Sequence, residues 1–434
     1  MTIRSVLVIC DGLRADMVSP DACPSIADLA RAGTAFRAHR AIFPSATRAT
    51  CASTATGCRP RRHGLHGNQM VLEIDGVRDV HDVGRPEFRD ALEAATGRTL
   101  LVPTLAERLA GAGGHVIFSN VSPGAAMFHD PDGHGHVYHR AIAYGPGRRP
   151  VDDHAPVAHG AIGDRDLTIR FCEDVLARRR PAHAVLWLCE PDLTMHRAPL
   201  GSAENRAAIA AADACVGLVR DAVAALRSEG EDVLLLVGSD HGHETVTGAV
   251  PVETRLIEAG FKRGPDDRDV LVATQGTSAY VALAGKAAGR QAEIAAWLAG
   301  QAWTAEVAAG PELEAWGLPH GPTLAIAFSM ARSNARNGHG VPGTSLVATR
   351  FEETTPLLGF GQHGGRGDHE THPFLIAVGR DFPPGSACSD ETSMIDIAPT
   401  VLAHHRLAVA GLDGAPLQER VAPANAPARR APFD

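Results

Sequence analysis

The sequence of 434 residues predicts an α/β protein with a mostly parallel central sheet, helices on both faces of that sheet, and an inserted cap. Short apolar runs typical of buried strands alternate with longer segments of helical periodicity. We predict strands at 5–10, 115–119, 184–189, 233–237, 269–273, 279–283, 323–329 and 373–378. This alternation favours parallel pairing, because a helix can carry the chain back to the start of the next strand.

Helical segments with proline near their start or glycine at their end separate these strands. We predict helices at 24–33, 103–113, 166–180, 202–228, 253–260 and 393–405.

Two stretches interrupt the alternation and suggest how the chain is divided. Residues 1–249 and 351–411 are predicted to form the α/β core, and residues 250–350 an inserted cap. The polar stretch 68–100 could contribute to the cap. The tail 412–434, rich in alanine, proline and arginine, is predicted to be loose.

The composition excludes several classes of protein. A net charge of -9 argues against a nucleic-acid scaffold role. No segment approaches the roughly 20 apolar residues of a membrane span, and the first apolar run is too short for a signal peptide. The eight cysteines form no Cys-x-x-Cys pair, and Cys10 and Cys189 lie within apolar runs as buried thiols. We expect a cytoplasmic protein, and the sequence leaves a homo-oligomer open.

Side chains that bind hard metal ions stand beside four of the apolar runs. Because open α/β sheets gather their ligands at the carboxyl ends of parallel strands, these side chains should converge and form a two-metal site. The predicted ligands are Asp11, Asp192, His196, Asp240, His241 and His363.

The strength of the signal differs among these residues. Asp240 and His241 are adjacent, and Gly238 and Gly242 allow the backbone to bend on either side of them. Asp192 and His196 stand four apart, which places both on one face of a helical turn.

Three ligand positions have competitors nearby in the sequence. Asp16 competes with Asp11, and His369 and His372 compete with His363.

A nucleophile is expected in the hydroxyl-rich segment 43–57. A hydroxyl at a helix start, close to a metal ion, would be favoured as the alkoxide. Ser45, Thr47 and Thr50 all qualify on composition.

These motifs resemble those of the alkaline phosphatase superfamily, closest to the nucleotide pyrophosphatase/phosphodiesterase branch and the related phosphonoacetate hydrolases. The resemblance covers roughly residues 3–68, 184–245 and 360–405, and it fades over the cap. Its motifs, in family order, are Asp-Gly-Leu-Arg-Ala-Asp, Phe-Pro-Ser-Ala-Thr, Pro-Asp-x-x-x-His, Ser-Asp-His-Gly and His-Gly-Gly.

The resemblance implies an alkaline phosphatase-like fold with Thr47 as the nucleophile and Asn68 as a substrate-binding residue. It also implies two divalent metal ions, usually zinc, although the ligand chemistry fits manganese or iron as well. One ion would be held by Asp192, His196 and His363. The other would be held by Asp11, Asp240, His241 and the Thr47 oxygen.

The expected activity is metal-dependent hydrolysis of phosphate diesters or nucleotide pyrophosphates through a covalent phospho-enzyme. The alternative is a phosphonate hydrolase of the phosphonoacetate hydrolase type, which would need arginine to hold a substrate carboxylate. A phosphate monoesterase and a non-catalytic metal-binding protein rank lower. In each catalytic case the partner is a small-molecule phosphoester or phosphonate.

Other polar residues have two interpretations each. Arg48 stands where phosphodiesterase relatives often read Phe-Pro-Asn after the nucleophile, and it is either a solvated helix residue or a second phosphate clamp. Asn120 could contact substrate. A histidine cluster is either a third metal site or a polar loop, and it comprises His129, His134, His136 and His139.

Overall fold

The structure, a computed structural model, describes residues 2–154, 156–352 and 358–421. The strands in these ranges are β1 (Ile3–Cys10), β2 (Thr34–Arg40), β3 (Gln69–Ile74), β4 (Val77–Asp82), β5 (His115–Ser119), β6 (His136–His139), β7 (Ile142–Gly145), β8 (Arg149–Pro150), β9 (His183–Leu188), β10 (Asp232–Gly238), β11 (Glu244–Pro251), β12 (Val270–Thr274), β13 (Ser278–Leu283), β14 (Thr304–Ala309), β15 (Ile326–Met330), β16 (Arg332–Arg336), β17 (Pro342–Thr349), β18 (Gly361–Gln362), β19 (Leu375–Val378) and β20 (Ser386–Ser393).

The α-helices are α1 (Pro24–Ala32), α2 (Thr47–Thr56), α3 (Pro60–His63), α4 (Phe88–Thr96), α5 (Leu105–Leu109), α6 (Pro123–Met127), α7 (Ala161–Arg170), α8 (Asp192–Met195), α9 (Ala203–Ser228), α10 (Val252–Glu258), α11 (Gln291–Ala299) and α12 (Ile397–His404). A π-helix at Phe171–Arg179 continues α7 directly. None of the helices in the described ranges has both the length and the apolar character needed to cross a bilayer.

Ten strands form the central sheet, in the order β20-β2-β19-β10-β1-β9-β5-β6-β7-β8. The pairs β10-β1, β1-β9, β9-β5, β5-β6 and β2-β20 are parallel, and the remaining pairs are antiparallel. The predicted fold class, an α/β protein with a mostly parallel central sheet and helices on both faces, is confirmed.

Strand β1 shows why the sheet is covered on both sides. Val6 and Val8 belong to the hydrophobic core on one face, whereas Leu7 and Ile9 belong to the core on the other face. All four are at most 1% exposed. A strand that is covered on both faces therefore requires a continuous apolar run and not an alternation of apolar and polar residues.

Strand β19 runs antiparallel to its neighbour β10, with Leu375 opposite Gly238. The start of β19 therefore lies at the same edge as the end of β10. Because of this reversal, a residue that precedes β19 in the sequence can meet residues that follow β10.

Residues 250–350 form a second region beside this edge. Four of its strands make an antiparallel sheet in the order β12-β13-β15-β14, and the hairpin β3-β4 packs against it. In that contact Arg78 donates to the carbonyls of Arg268, at 3.0 Å, and Pro322, at 2.7 Å. The predicted boundary at residue 250 falls inside β11, which pairs with β17, and the division into domains stays a prediction.

Strand β2 was missed by the sequence analysis although it lies within the central sheet. It carries Arg37, His39 and Arg40 and so lacks an apolar run, and its burial follows its partners β19 and β20 instead. In the predicted tail, Leu417 is fully buried against the core, and Asp413 accepts a hydrogen bond from Arg62 at 3.0 Å. The rest of that tail, 422–434, lies outside the described residues, as do 353–357 of the predicted core.

Candidate active site

The ends of three neighbouring parallel strands bring acidic side chains together. Asp11 follows β1, Asp192 starts the short helix after β9, and Asp240 follows β10. The backbones also interlock, because the Asp192 amide donates to the Asp11 carbonyl at 3.0 Å. Gly12 lies between them with φ +71°, and a Cβ there would stand 2.7 Å from His243 Nε2, so this position requires glycine.

Asp11, Asp240 and His241 form the first group of candidate metal ligands, all of them buried. His241 Nε2 lies 3.5 Å from Asp11 Oδ1 and 3.2 Å from Asp240 Oδ2. The other oxygens are held by the protein: Trp187 Nε1 donates to Asp11 Oδ2 at 2.9 Å, and the Gly12 amide donates to Asp240 Oδ1 at 3.1 Å. Each carboxylate therefore turns its other oxygen toward the group, where Asp240 Oδ2 has no hydrogen-bond partner and Asp11 Oδ1 faces Thr47 Oγ1 at 3.4 Å.

Asp192, His241, His243 and His363 form a second group, whose donor atoms all lie within 4.8 Å of one another. Asp192 Oδ1 lies 2.8 Å from His243 Nε2 and 3.5 Å from His363 Nε2. The predicted ligand His196 stands beside this group, with its Nε2 at 3.3 Å from the same oxygen. His241 belongs to both groups, so the two candidate metal positions are adjacent.

Backbone carbonyls orient three of these imidazoles. The Nδ1 atoms of His196, His241 and His363 lie 3.1, 3.1 and 2.7 Å from the carbonyls of Gly361, Gly242 and Ser45. An Nδ1–H that donates to a carbonyl leaves Nε2 as the unprotonated nitrogen, which is how metal-ligating histidines are fixed in proteins.

A bound cation would stabilise the buried carboxylates of the two groups. Burial raises the pKa of Asp11, and the nearby Asp240 and Asp192 raise it further. Burial also raises the pKa of Asp240, whose Oδ2 has no hydrogen-bond partner. Among the described residues, no lysine or arginine lies within 4.0 Å of these carboxylates.

The imidazoles suit the same requirement. Burial lowers the pKa of His243 to about 4, and burial together with His241 holds the pKa of His363 well below its usual value. Burial opposes the ionisation of Asp192, but His196 and His243 outweigh it and keep the Asp192 pKa well below the ordinary value. Burial opposes the charged form of His196, but Asp192 outweighs it and raises the His196 pKa. Imidazole nitrogens and carboxylate oxygens together are a donor set that fits divalent zinc.

Of the three candidate nucleophiles, Thr47 lies at these groups. Its Oγ1 is 3.1 Å from His241 Nε2 and 3.4 Å from Asp11 Oδ1, and the residue begins helix α2. Ser45 and Thr50 are engaged elsewhere, since Ser45 Oγ donates to Glu370 at 3.0 Å and Thr50 Oγ1 donates to the Ala46 carbonyl at 3.0 Å.

A cavity of about 230 Å³ opens onto the predicted site residues. Thr47 and Asn68 both line it, and the buried Asn68 Oδ1 has no hydrogen-bond partner. The residues that line the cavity are Asp11, Thr47, Arg48, Asn68, Val121, Ser122, Arg140, His159, Cys189, Asp192, Leu193, His196 and His363.

The sequence competitors of Asp11 and His363 are bound elsewhere. Asp16 pairs with Arg14 Nη2 at 2.6 Å, and His369 Nδ1 lies 2.8 Å from the same nitrogen. His372 Nδ1 lies 2.8 Å from Arg40. None of the three competitors lines the cavity.

The histidine cluster at 129–139 is spread over separate contacts. His129 packs on Trp187 with ring centroids 5.2 Å apart, His136 stacks on Tyr138, and His139 Nε2 lies 2.9 Å from the Val121 carbonyl. Within the described residues the cluster belongs to neither group of converging metal donors.

Sequence reasoning missed three residues of this region: His243, Arg140 and His159. The pattern Asp240-His241-Gly-His243 was visible, and a second histidine two positions on could have identified His243. The other two carry no signal of their own, because folding alone brings them to the cavity.

The fold and this site define a hydrolase of the alkaline phosphatase superfamily. The family model for type I phosphodiesterase/nucleotide pyrophosphatase matches residues 5–314. The chain therefore belongs to this family, and it is a phosphoester hydrolase of the phosphodiesterase/nucleotide pyrophosphatase type. A comparison with curated protein sequences gives no match.

Solved structures share the fold at low sequence identity. Murine ectonucleotide pyrophosphatase/phosphodiesterase 5, an inactive variant in complex with AMP, is 16% identical with a TM-score of 0.68, covering 97% of this chain and 100% of that one. The human counterpart is 15% identical with a TM-score of 0.66, covering 96% and 99%. Phosphonoacetate hydrolase from Sinorhizobium meliloti 1021 with phosphonoacetate is 15% identical with a TM-score of 0.65, covering 93% and 96%.

Proposed function

We propose that this protein hydrolyses phosphate diesters or nucleotide pyrophosphates with Thr47 as the nucleophile. The observation that carries the proposal is the position of the Thr47 hydroxyl. It lies at the first residue of α2, 3.1 Å from His241 Nε2, and it lines the same cavity as Asn68. Family membership supports the reaction type, and the geometry supports the assignment of the residues.

Two divalent ions are part of the proposal, with zinc as the metal and manganese or iron as substitutes that the ligands also suit. One ion would be held by Asp11, Asp240, His241 and the Thr47 oxygen. The other would be held by Asp192, His196 and His363, and the observed position of His243 adds it to this second set. When bound, the ions would lower the pKa of a hydroxyl or water and neutralise charge on the phosphoryl oxygens.

The protein's own groups account for the rest of the mechanism. The N-terminal dipole of α2 favours the alkoxide form of Thr47, which attacks phosphorus in line with the leaving oxygen. The leaving group departs with its ester oxygen, and Thr47 keeps the phosphoryl group together with the remaining ester substituent. A water then attacks this phosphorus, releases the phosphate monoester and restores the hydroxyl. The Asn68 side-chain amide would donate to a non-bridging oxygen as charge builds there.

Charge balance supports a monoanionic reacting group. Two divalent ions and the three carboxylates of Asp11, Asp192 and Asp240 leave one positive charge, which the Thr47 alkoxide cancels. A diester monoanion then enters a nearly neutral site.

Phosphonate hydrolysis, with cleavage of a carbon–phosphorus bond, is the second candidate. It would need a cation for the carboxylate of its substrate. Arg48 and Arg140 line the cavity and could supply that charge.

Replacement of the nucleophile tests the proposal. With zinc or manganese added, Thr47→Ala should lose turnover of bis(4-nitrophenyl) phosphate while both metal ions still bind by elemental analysis. The matched control is Thr50→Ala in the same helix, whose hydroxyl only contacts the Ala46 carbonyl. Mass spectrometry of the wild-type enzyme quenched during turnover should show a 4-nitrophenyl phosphoryl group on Thr47. Activity retained in Thr47→Ala would reassign the nucleophile.

A cytoplasmic location is also proposed, and the eight unpaired thiols support it. Fractionation of the native host would test this location. A homo-oligomer remains a prediction that sedimentation can test.

A further inference from the structure

Two arginines line the catalytic cavity, and neither belongs to the machinery described above. Arg48 follows the nucleophile on α2, and Arg140 follows strand β6. Their cationic groups share a cavity of about 230 Å³ with Thr47 and the acidic side chains. They differ in how their charge is compensated.

The charge of Arg48 already has a partner. Its Nη1 lies 3.2 Å from Asp82 Oδ1 and donates to the Asn68 carbonyl at 3.1 Å, while Nε donates to Ser122 Oγ at 3.3 Å. These contacts fix the backbone of Asn68. Arg48 therefore acts first as a support for the predicted substrate-binding residue.

The charge of Arg140 has no such partner. Its Nη1 donates to the main-chain carbonyls of Asn120 and Val121, and no carboxylate of the described residues lies within 4.0 Å of its guanidinium. A guanidinium remains protonated in proteins, so the cavity contains a positive charge with which no carboxylate of the described residues forms an ion pair. Half-burial of an unpaired charge costs free energy, which an anion bound in the cavity would offset.

The support behind Arg140 is built from buried hydrogen bonds. The Asn120 side-chain amide donates to Asp164 Oδ1 at 2.8 Å and to the Ala158 carbonyl at 3.1 Å. Asp164 in turn accepts from the amides of Cys189 and Glu190, at the end of β9. Asn120, which the sequence suggested as a substrate contact, thus positions the carbonyl that holds Arg140.

His159 stands beside this guanidinium at the rim of the cavity. Burial, together with the charges of Arg140 and Arg197, lowers its pKa to about 4. A neutral imidazole adds a hydrogen-bond donor or acceptor there without compensating the charge of Arg140.

We infer that Arg140 binds a second anionic group of the substrate, one that lies beyond the reacting phosphorus. The inference rests on the proposed function, because the reacting phosphoryl group is taken to sit at Thr47. A simple diester needs no cation beyond the two metal ions, so Arg140 is explained only by a substrate with two anions. The second anion is an oxyanion, a carboxylate or a second phosphoryl group, which the planar fork of arginine binds through two parallel hydrogen bonds.

Inhibition constants of small phosphonates test the role of Arg140 without knowledge of the physiological substrate. Methylphosphonate, phosphonoacetate and methylenediphosphonate would compete with bis(4-nitrophenyl) phosphate on the metal-saturated enzyme. The first carries no second anion, the second adds a carboxylate, and the third adds a phosphoryl group. For the wild type we expect at least one of the two-anion compounds to bind about tenfold or more tighter than methylphosphonate, and whichever does so identifies the second anion.

In Arg140→Gln that preference over methylphosphonate should fall by about 10- to 100-fold, the worth of a charge-assisted hydrogen-bonded pair. Arg140→Lys keeps the charge but loses the planar fork of the guanidinium, so it should retain part of the preference. This variant also tests the inference if Arg140→Gln does not fold. Arg197→Gln is the control. Arg197 is 61% exposed, lies 3.8 Å from Glu190 and does not line the cavity, so the preference should be unchanged.

Three results would overturn the inference. The wild type could show no preference for two anions, both Arg140 variants could keep the preference, or Arg197→Gln could lose as much as Arg140→Gln. Failure of the proposed function looks different, since metal-loaded wild type would then hydrolyse no diester, pyrophosphate or phosphonate, and the inference would fall with it.

Discussion

Two groups of neighbouring carboxylates in the described part of the chain are compensated in different ways. The Asp cluster, Asp11, Asp192 and Asp240, lies at the carboxyl edge of the central sheet. The Glu pair, Glu244 and Glu370, lies behind the loop that carries His363, and both of its members are at most 2% exposed. The neighbours of each set show what neutralises it.

Around the Asp cluster the Nε2 atoms of His241 and His243 lie 3.2 Å from Asp240 and 2.8 Å from Asp192, and Asp240 Oδ2 has no hydrogen-bond partner. In the Glu pair, Glu370 Oε2 accepts hydrogen bonds from Ser45 Oγ at 3.0 Å, Thr277 Oγ1 at 2.6 Å and the Gly365 amide at 2.8 Å. These donors stabilise charge on Glu370, whereas its neighbour takes up a proton.

Burial raises the pKa of Glu244 to about 8, and the charge of Glu370 contributes to that rise. The comparison shows how a metal site differs from an acid pair of similar burial. Inward-facing imidazole nitrogens distinguish the candidate metal site, because Glu244 Oε2 also lacks a hydrogen-bond partner, whereas hydroxyl and amide donors satisfy the carboxylate of Glu370.

The largest expected effect comes from Asp240→Asn, and it should have opposite signs with and without metal. Loss of a ligand should lower kcat/KM more than a hundredfold, because replacing a group that only hydrogen-bonds to a metal ligand already lowers metal affinity or activity about 10- to 100-fold. In chelator the same variant should melt at a higher temperature than wild type, since one buried charge beside Asp11 and Asp192 is gone. Steady-state kinetics, elemental analysis and calorimetry measure these effects.

The control is Asp16→Asn, because Asp16 lies outside the cavity and its side chain is 48% exposed. A lower melting temperature of Asp240→Asn in chelator would show that the Asp cluster is compensated without metal.

An intermediate effect is expected for Glu370→Gln. Glu370 holds Ser45, whose carbonyl accepts from His363 Nδ1 at 2.7 Å, so this side chain braces both the nucleophile loop and a metal ligand. We expect kcat/KM to fall about tenfold, with weaker binding of one metal ion. Glu314→Gln on the surface, 55% exposed, is the matched control. Unchanged kinetics and unchanged metal affinity would remove Glu370 from the support of the site.

The smallest effect is expected for Glu244→Gln, and it should depend on pH. The folded pKa of about 8 lies above the ordinary value of 4.5, so between these pH values the folded state keeps a proton that the unfolded state releases. Wild-type stability should therefore fall as pH rises through this window, and a permanently neutral glutamine removes that loss.

Urea unfolding in chelator should show Glu244→Gln gaining on the order of 1 kcal/mol relative to wild type between pH 5 and 8. Glu314→Gln should show no such change with pH. A constant difference between Glu244→Gln and wild type across this range would contradict protonation of Glu244.

The sequence predicted the core strands because each is an apolar run, and it predicted the order of the ligand segments because their spacing is local. It missed β2, because the arginines and the histidine of this strand interrupt any apolar run. In the structure β2 pairs with β19 on one side and β20 on the other. The sequence also did not distinguish among Ser45, Thr47 and Thr50 by composition. Two of these hydroxyls are engaged in hydrogen bonds elsewhere, and only the folded structure shows which one is left to face a metal group.

The amino-acid sequence by itself determined the sheet, the family and the side chains that could bind metal, since these depend on patterns within short segments. Only the tertiary structure decided that His243 joins Asp192, that Glu370 braces Ser45, and that Arg140 reaches the cavity without an acidic partner. Such pairings join residues 20 to several hundred positions apart, and their distances are set by strand order and packing, which no local pattern records.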